Sequence, residues 1–437
     1  MEPRIDSLTL LVDKMVYGGD GLAHADGHSV FIPYVLSGEE VQAQIVSRKK
    51  KLARAKPLSI SKPNASRVKP FCPHFGTCGG CHYQHATYGA QVELKTGILR
   101  ETLGRVGGVD WTREITTHTA EPVGYRNRAQ WAVRQGSPRA LGYYLPQTNT
   151  VMPADRCDVL SPALADVFSR LQEVARNGSL PREVLEIEAF ADSADSQTAL
   201  NVACTEFAGP AAQLTSLFRD AVPSLASLLL LDQKKNRFEL SGPGYLIQRA
   251  GGYDFRVSHL SFFQVNRFLI EELLRSVVAG AKGNLALDLY AGVGFFTLPL
   301  AKHFQRTVSV DANLSATRNL RENAEQAGVP IISQNEHSEE FLKKTSERPD
   351  FVVLDPPRTG LGQAAAKKLA DLGPAEVVYL SCDPATLARD LAIFLGTPRM
   401  PRELSRPACR YEITAVDFFD LFPQTFHIET LVRLRRM

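Results

Sequence analysis

The sequence lacks any run of roughly eighteen apolar residues, and this absence excludes a predicted transmembrane helix. Met1–Arg4 open no apolar segment of the kind found in secretory signals, so we expect a cytosolic protein with no membrane contact. No internal repeat or long low-complexity tract occurs either. With 437 residues, 44% of them hydrophobic and 22% charged, the chain is typical of a soluble globular protein with about three domains. We expect it to act as a monomer.

Acidic residues are absent between Val41 and Val92, although the whole chain has a net charge of only +3. That stretch contains nine Lys or Arg residues, including Arg48–Lys51, Arg54 and Lys56. A run of like charges is most often a solvated face or a linker. A basic block beside predicted strands also fits contacts with the phosphates of a nucleic acid.

Residues 4–57 predict a small all-β unit. Glycine-rich and Asp-Gly turn signals at residues 18–21 and 26–28 separate short runs of strand-forming residues. The predicted strands are Thr9–Val12, Ser29–Pro33 and Glu40–Ser47.

The C-terminal half predicts an α/β fold, because short apolar runs alternate with helical segments. Each run ends in a loop rich in Gly, Asp or Pro, and in open α/β sheets ligands bind at that end of the strands. The predicted strands are Leu285–Leu289, Thr307–Val310, Asp350–Leu354 and Ala375–Ser381, with helices at Phe295–Phe304 and Pro384–Phe394.

The strand ends carry the candidate site residues. Tyr290–Gly294 contain a G-x-G element whose third dinucleotide-type glycine is missing, and Asp311 follows about twenty residues later, where an acidic residue can bind ribose hydroxyls. Asp355 ends the third strand. Each element alone fits an ordinary βα turn, where Gly, Asp and Pro are common. Their occurrence in one βαβ series favours a ligand site.

Cys382 lies on the predicted turn between the last strand and its helix. A structural cysteine would more naturally lie inside the strand and face the core. Taken alone, that structural interpretation is the better one. Together with the other strand-end loops, the position favours a nucleophile at the ligand edge of the sheet.

These motifs together resemble a known family, the S-adenosylmethionine-dependent RNA uracil-C5 methyltransferases. The similarity rests on D-L-Y-A-G-V-G-F-F, D-P-P-R and S-C-D-P, in this order, with F-F-Q-V-N upstream and H-I-E-T near the C-terminus. It covers nearly the whole chain, and the 23S ribosomal RNA members are the most similar. The segment V-Y-G-G-D-G-L-A-H, residues 16–24, resembles a TRAM domain, an OB-like barrel of RNA-modifying enzymes. A purely structural cap is the alternative for this domain.

The resemblance implies covalent catalysis with Cys382 as nucleophile and Glu429 as base. A thiolate adds to C6 of uracil, C5 takes the methyl group, and a base removes the C5 proton before the thiolate leaves. Because an unperturbed cysteine is mostly protonated at neutral pH, we expect the site to favour the thiolate. A lone glutamate in a C-terminal strand would otherwise be an exposed edge residue.

The resemblance also implies cofactor contacts. Gln264 offers donors and acceptors to the methionine end of S-adenosylmethionine, Tyr290 packs against the cofactor, and Asp311 reaches the ribose. Asp355 faces the crevice, although it could simply cap the following turn. Family members often carry Glu where Asp311 stands, and no residue in 334–337 is assigned to the adenine.

Three cysteines, Cys72, Cys78 and Cys81, lie in a loop crowded with Gly and Pro. In a cytosolic enzyme they favour a metal site over disulfides. We select Cys157 as the fourth ligand. Cys204 lies in an apolar run and is predicted to belong to the core, and Cys409 is not part of any motif. One triplet with a distant fourth cysteine fits a [4Fe-4S] cluster better than zinc. The resemblance supports the cluster, while His74, His82 and His85 keep zinc as the lesser alternative.

The predicted organisation is a TRAM-like barrel in 1–60, a central mixed α/β domain with the cysteine cluster and an RNA-binding surface in 61–255, and a Rossmann-like class I methyltransferase domain in 256–437. Residues 124–128 suit base stacking and phosphate contacts, or simply a strand edge. The predicted function is methylation of a 23S ribosomal RNA uridine. The alternatives are a transfer RNA enzyme, a non-catalytic RNA-binding homologue and, more weakly, an NAD-dependent enzyme.

Overall fold

The computed structural model describes residues 7–207, 209–397 and 408–437. Met1–Arg4, the residues behind the expectation of no secretory signal, lie outside them. The chain forms two compact units. The first contains Met1–Glu101, Tyr144–Met152 and Phe422–His427, and the second contains Thr102–Tyr143, Pro153–Leu421 and Ile428–Met437.

The described strands are, in chain order, β1 Ser7–Leu11, β2 Lys14–Met15, β3 Asp20–Ala25, β4 His28–Pro33, β5 Glu40–Lys49, β6 Leu52–Lys62, β7 Thr116–His118, β8 Arg128–Arg134, β9 Ala140–Tyr144, β10 Val151–Pro153, β11 Val184–Ala191, β12 Thr198–Cys204, β13 Leu225–Asp232, β14 Arg237–Ser241, β15 Tyr245–Ala250, β16 Tyr253–Ser258, β17 Gly283–Leu289, β18 Phe304–Val310, β19 Ile332–Gln334, β20 Phe351–Leu354, β21 Glu376–Ser381, β22 Tyr411–Phe419 and β23 Glu429–Arg436.

The described α-helices are α1 Tyr88–Thr102, α2 Pro162–Arg176, α3 Ala211–Ala221, α4 Ile270–Val278, α5 Thr297–Ala301, α6 Leu314–Ala327, α7 Ser338–Lys344, α8 Gln363–Leu372 and α9 Pro384–Leu395; a short π-helix covers Leu103–Gly107. Within the described ranges, no helix combines the length and the apolar character needed to cross a membrane.

The first unit is built on a curled six-stranded sheet with the order β1–β5–β6–β4–β3–β2. Alternate residues point inward, so that Val30, Ile32, Val41 and Ala43 are buried while their neighbours keep exposure. The β5–β6 pairing shifts register at three places. Such bulges bend and twist a strand, which explains how a sheet of this size curls into a half-barrel. The predicted N-terminal OB-like sheet is confirmed.

A seven-stranded sheet has the order β10–β9–β8–β11–β12–β13–β14, and its strands β8 and β11 to β14 lie in the second unit. All seven residues of β12 are buried. A strand covered on both faces reads as a continuous apolar run, as A-L-N-V-A-C does here. Cys204 belongs to this core, as predicted. A separate hairpin, β15–β16, turns at Gly251 and Gly252, whose φ angles of 59° and 76° suit a tight turn closed by glycines.

The same unit contains an eight-stranded sheet with the order β19–β18–β17–β20–β21–β23–β22–β7. The strands from β19 to β21 run parallel, and β23 is antiparallel to β21. This is the predicted Rossmann-like arrangement. The helix predicted at Phe295–Phe304 is shorter, because it covers only Thr297–Ala301 and Phe304 already begins β18.

Candidate active site

The carboxyl ends of four parallel strands meet at one edge of the eight-stranded sheet. Tyr290, Asp311 and Asp355 each follow directly after β17, β18 or β20, and Cys382 follows β21. The antiparallel strand β23 begins at the same edge, because Ser381 pairs with Thr430. Continuing this register by one residue places Cys382 opposite Glu429. The topology therefore brings together residues far apart in the chain.

The glycine loop and Asp311 are joined by a direct hydrogen bond. The backbone N–H of Gly292 donates to Oδ2 of Asp311 at 2.8 Å, and the N–H of Asn313 donates to Oδ1 at 2.7 Å. Gly292 has a φ of 55°, and no atom lies within 4 Å of the place where its Cβ would be. The loop backbone thus borders open space, and the fixed carboxylate keeps lone pairs for a ligand hydroxyl.

Tyr290 is held at the start of the same loop. Its φ of 64° is unusual for a tyrosine, and its hydroxyl donates to Oε1 of Glu339 at 2.8 Å. Burial, and then this glutamate, raise the pKa of Tyr290 well above its ordinary value. The ring is therefore a neutral, half-buried surface beside the glycine loop, as packing against a cofactor requires.

Gln264 and Asp355 lie next to each other. Nε2 of Gln264 is 3.5 Å from Oδ2 of Asp355, the long limit for a hydrogen bond. Asp355 keeps some surface exposed, but protein atoms enclose its carboxyl group, and this burial raises its pKa to about 7 while the Gln264 amide opposes the rise. Two predicted cofactor residues from distant parts of the chain are thus neighbours.

The half-buried Cys382 thiol lies in an acidic environment. Its pKa is raised to about 12, first by burial and then by the charges of Glu429 and Asp355, while Arg358 acts in the opposite direction. These surroundings do not favour the thiolate, contrary to expectation, because desolvation and two nearby carboxyls all disfavour a negative charge. Burial, and then repulsion from Asp355, raise the pKa of Glu429 well above its ordinary value.

The turn that carries Cys382 explains the residues that follow it. The side chain of Asp383 accepts hydrogen bonds from the N–H groups of Ala385 and Thr386, both at 2.9 Å, and Pro384 is the first residue of α9. This is a helix N-cap with proline at the favoured position. The cap fixes the strand-to-helix turn and so fixes the thiol at the sheet edge.

Two nearby residues were not assigned from the sequence. Asp288 is buried within β17, where Thr297 donates a hydrogen bond of 2.5 Å to it, and burial raises its pKa to about 7. Asn335, just after β19, donates from Nδ2 to the backbone oxygen of Asp311 at 3.0 Å. A carboxylate in an otherwise apolar predicted strand was the available signal for Asp288. The contact of Asn335 had none, because it depends on the pairing of β19.

The residues predicted to contact RNA fall into two groups. Arg48 and Lys49 on β5 and the following Lys50 and Lys51 are exposed, as an electrostatic surface requires. In the segment 124–128, however, Tyr125 is buried and Arg128 forms an ion pair with Glu188 at 2.7 Å. This part of the segment is turned inward, so the strand-edge alternative describes it better than contact with RNA.

The cysteine triplet lies in the first unit, in a loop without helix or strand. Cys72, Cys78 and Cys81 are half-buried, and Sγ of Cys78 accepts a hydrogen bond from the N–H of Gly80 at 3.4 Å. Cys157 belongs to the second unit, where its thiol contributes to the raised pKa of the buried Tyr143. In the part of the chain that the structure describes, no group of three or more His, Cys, Asp or Glu residues is arranged to hold a metal ion.

Two of the alternative zinc ligands, His82 and His85, follow the cysteine triplet in the sequence. Burial lowers the pKa of both His82 and His85 to about 4, so both imidazoles are neutral near pH 7, the form in which histidine binds metal. His85 is tied by Nε2 to the backbone oxygen of Val35 at 3.1 Å.

The sheet edge brings together a glycine loop, a fixed carboxylate and a thiol, and comparison with known proteins identifies the family of the chain. Residues 248–437 match the family model described as tRNA (Uracil-5-)-methyltransferase. A protein of Alkalilimnicola ehrlichii described as 23S rRNA (uracil(1939)-C(5))-methyltransferase RlmD is 31% identical over 98% of this chain and 96% of its own length. An RNA methyltransferase of Thermotoga maritima is 30% identical over 97% and 98%.

Among solved structures, the Pyrococcus abyssi tRNA (uracil-54, C5)-methyltransferase, in complex with S-adenosyl-L-homocysteine, matches with a TM-score of 0.75 and 24% identity, covering 97% of this chain and 99% of its own. The chain belongs to the family of S-adenosylmethionine-dependent RNA uracil-C5 methyltransferases. It is therefore an enzyme that transfers a methyl group from S-adenosylmethionine to C5 of uracil in RNA.

Proposed function

We propose that the enzyme methylates one specific uridine of 23S ribosomal RNA through a covalent bond between Cys382 and C6 of the target uracil. The main support for this covalent bond is the register between β21 and β23. Continued by one residue, it sets Cys382 opposite Glu429 at the sheet edge where Asp311 also lies. The match to the Alkalilimnicola ehrlichii protein described as a 23S rRNA methyltransferase covers nearly the full length of both proteins and supports the choice of substrate.

Cys382 is the nucleophile in this proposal. Its sulfur bonds to C6, and the electron pair of the C5–C6 double bond moves towards O4, so that C5 becomes nucleophilic. S-adenosylmethionine supplies the methyl group from its sulfonium. The thiol must first give its proton to solvent water, and the positive charge of Arg358 favours that loss because it lowers the pKa of Cys382.

Glu429 is the base that completes the reaction. After methyl transfer, C5 carries a proton that must leave before the C6–sulfur bond can break. Glu429 and Asp355 lie close enough for their charges to repel, so the pair binds protons more tightly than two isolated carboxyls. Only the ionised form of Glu429 can accept the C5 proton, and an ionised carboxylate with a raised pKa is a stronger base than an ordinary one.

The cofactor residues in this proposal are Gln264, Tyr290, Asp311 and Asp355. Asp311 is fixed by two backbone N–H groups and binds the ribose, while the bare backbone at Gly292 lets the ligand approach. Gln264 and Asp355 form a polar pair for the methionine end. The neutral ring of Tyr290 packs beside the loop.

We further propose that Cys72, Cys78, Cys81 and Cys157 bind a [4Fe-4S] cluster. The support is the sequence pattern together with half-buried thiols in a loop that lacks regular secondary structure. No step of methyl transfer uses the cluster. The division into segments 1–60, 61–255 and 256–437 also remains a proposal.

The substrate is tested by mapping 5-methyluridine with mass spectrometry in ribosomal and transfer RNA, with and without the gene. We expect one 23S position to lose its methyl group in the deletion strain and to regain it with the wild-type gene. Loss confined to transfer RNA would support the alternative substrate and overturn our choice. Unchanged RNA of both kinds, with an intact purified protein that binds RNA, would support the non-catalytic alternative.

A further inference from the structure

The loop of residues 259–266 carries Gln264 into the site without any helix or strand of its own. One end is pinned by strand-like contacts, since Asn127 donates its N–H to the oxygen of Val265 at 3.0 Å. Between the ends, Phe263 packs against Phe255 and Phe295, and Gln264 is 8% exposed. Because the rest of the loop has no regular backbone hydrogen bonding, side-chain contacts at its other end also determine where Gln264 lies.

Arg128 of the seven-stranded sheet supplies the main anchor. Its Nη1 donates to the backbone oxygen of Ser261 at 2.6 Å and its Nη2 to that of His259 at 3.3 Å. Glu188 holds the same guanidinium with two bonds of 2.7 and 3.1 Å. Such a forked pair fixes both the position and the plane of the guanidinium.

Asn201 and His259 complete the anchor. Nδ2 of Asn201 donates to Glu188 at 2.6 Å and to the oxygen of His259 at 3.0 Å, so the orientation of its amide is determined. Oδ1 of Asn201 then faces Nδ1 of His259 at 2.5 Å, and that nitrogen must carry the proton. Nε2 is left to accept a bond from the hydroxyl of Ser227 at 2.8 Å. This single neutral tautomer agrees with the pKa of His259, which burial lowers to about 4.

We propose that Arg128, Glu188, Asn201 and His259 are positioning residues that fix the loop of residues 259–266, so that the seven-stranded sheet determines where the Gln264 amide lies in the active site. The network touches no reacting atom. It acts on catalysis through Gln264, and this part rests on the proposed role of Gln264 in cofactor binding. The central sheet is then a support for the active site in addition to any contact with RNA.

A double-mutant cycle tests the connection. The Kd for S-adenosylhomocysteine is measured by calorimetry for the wild type, Arg128→Ala, Gln264→Ala and the double variant. We expect Arg128→Ala to weaken binding by about 10-fold or more, approaching the ~10²-fold cost of a misplaced group. If Arg128 acts through Gln264, the double variant binds no more weakly than Gln264→Ala alone. Additive losses, or an unchanged Kd with weaker RNA binding, overturn the proposal.

Hydrogen–deuterium exchange gives a readout that does not depend on the proposed chemistry. Peptides covering 259–266 should exchange faster in Arg128→Ala and in Glu188→Gln, with the strands of the sheet unchanged. Val202→Ala, which removes buried apolar atoms beside Asn201, is the matched control for lost stability and should leave the loop and the Kd unchanged. Arg170→Ala, which breaks an exposed ion pair on α2, controls for lost charge.

The two readouts separate the possible failures. Faster loop exchange without any effect of Gln264→Ala on the Kd would reject the assigned role of Gln264 and keep the anchor. Unchanged loop exchange in Arg128→Ala and Glu188→Gln would reject the anchor itself. Restoration of both loop protection and the Kd in Arg128→Lys would show that charge alone suffices and would contradict the forked geometry.

Discussion

Sequence motifs selected residues in two parts of the molecule, the edge of the eight-stranded sheet and the cysteine loop, and the two sets differ in how they are arranged. At the edge of the eight-stranded sheet, parallel strands bring Asp311, Asp355 and Cys382 together, and an antiparallel strand adds Glu429. In the cysteine loop, Cys72, Cys78 and Cys81 are near in sequence, yet the described residues contain no arrangement ready for a metal. A sheet edge is built by backbone hydrogen bonds, whereas a metal site often needs its metal to hold the ligands.

This comparison predicts that the sheet edge is complete before any ligand binds and that the cysteine loop is not. Changes at the sheet edge should therefore remove chemistry while leaving the fold intact. Changes in the loop should act on metal content and stability.

Cys382→Ala should give the largest effect. Loss of the nucleophile should lower methylation on the order of 10⁴-fold or more while binding of S-adenosylhomocysteine persists, because the thiol is not part of the Gly292–Asp311 contact. RNA with 5-fluorouridine at the target should trap the wild type covalently, since fluorine cannot leave as a proton. Cys409→Ala, a half-buried thiol of the same unit, is the control and should retain activity. Residual methylation near the wild-type rate would exclude Cys382 as nucleophile.

Glu429→Gln should lower turnover by roughly 10²–10⁴-fold, the usual contribution of a general base. Addition and methyl transfer precede the step that needs the base, so a methylated enzyme–RNA adduct should accumulate and survive a denaturing gel. Glu412→Gln changes an exposed glutamate on β22 and should behave as the wild type. Normal turnover of Glu429→Gln would place the base elsewhere. Absence of both adduct and methyl transfer would assign Glu429 to positioning the uracil.

The cysteine loop should respond through its metal. Protein purified without oxygen should be brown and contain about four irons per chain with matching sulfide. Cys78→Ser and Cys157→Ser should lose this content, while the buried Cys204→Ala should keep it. About one zinc without iron would support the zinc alternative. Metal loss in Cys204→Ala, with the fold retained, would contradict the choice of Cys157.

Asp288→Asn should stabilise the protein. The folded-state pKa of Asp288 is about 7 against an ordinary 3.8, so its stabilising contribution is full below pH 3.8 and is lost as pH rises through 7. Asparagine does not ionise and so avoids that loss. Above pH 7 the loss for Asp288 amounts to about 4 kcal/mol of the free energy of unfolding. Urea denaturation at about pH 5 and about pH 8 should show a gain that grows with pH. An equal gain at both pH values would indicate a cause other than ionisation.

Much of the sheet edge could be predicted from the sequence, because each apolar run ends in a residue of distinct chemistry. Asp311, Asp355 and Cys382 each lie directly after their predicted strands. The pairing of Cys382 with Glu429 could not be derived, since the 47 residues from 382 to 428 separate β21 from β23 and local sequence does not set their register. Only the family motif pointed to it.

Arg128 shows the limit of local patterns. Its neighbourhood of Arg and Tyr predicted contact with RNA, but its partner Glu188 is 60 residues away, and no local spacing rule indicates that pairing. The raised pKa of the Cys382 thiol was not predicted for a similar reason. Burial and the charges of Glu429 and Asp355 come from different strands, so their combined effect on the Cys382 pKa appears only in the folded chain.

The environment of Cys382 has a consequence for the lifetime of the idle enzyme. Peroxide oxidises thiolates, and the first product, a sulfenic acid, leads on to forms that cells do not readily repair. A thiol with a pKa of about 12 is almost wholly protonated near pH 7 and therefore reacts slowly with oxidants. The burial that slows formation of the bond to RNA therefore also protects the sulfur between turnovers. Oxidative damage is confined to the short intervals in which the thiol is ionised.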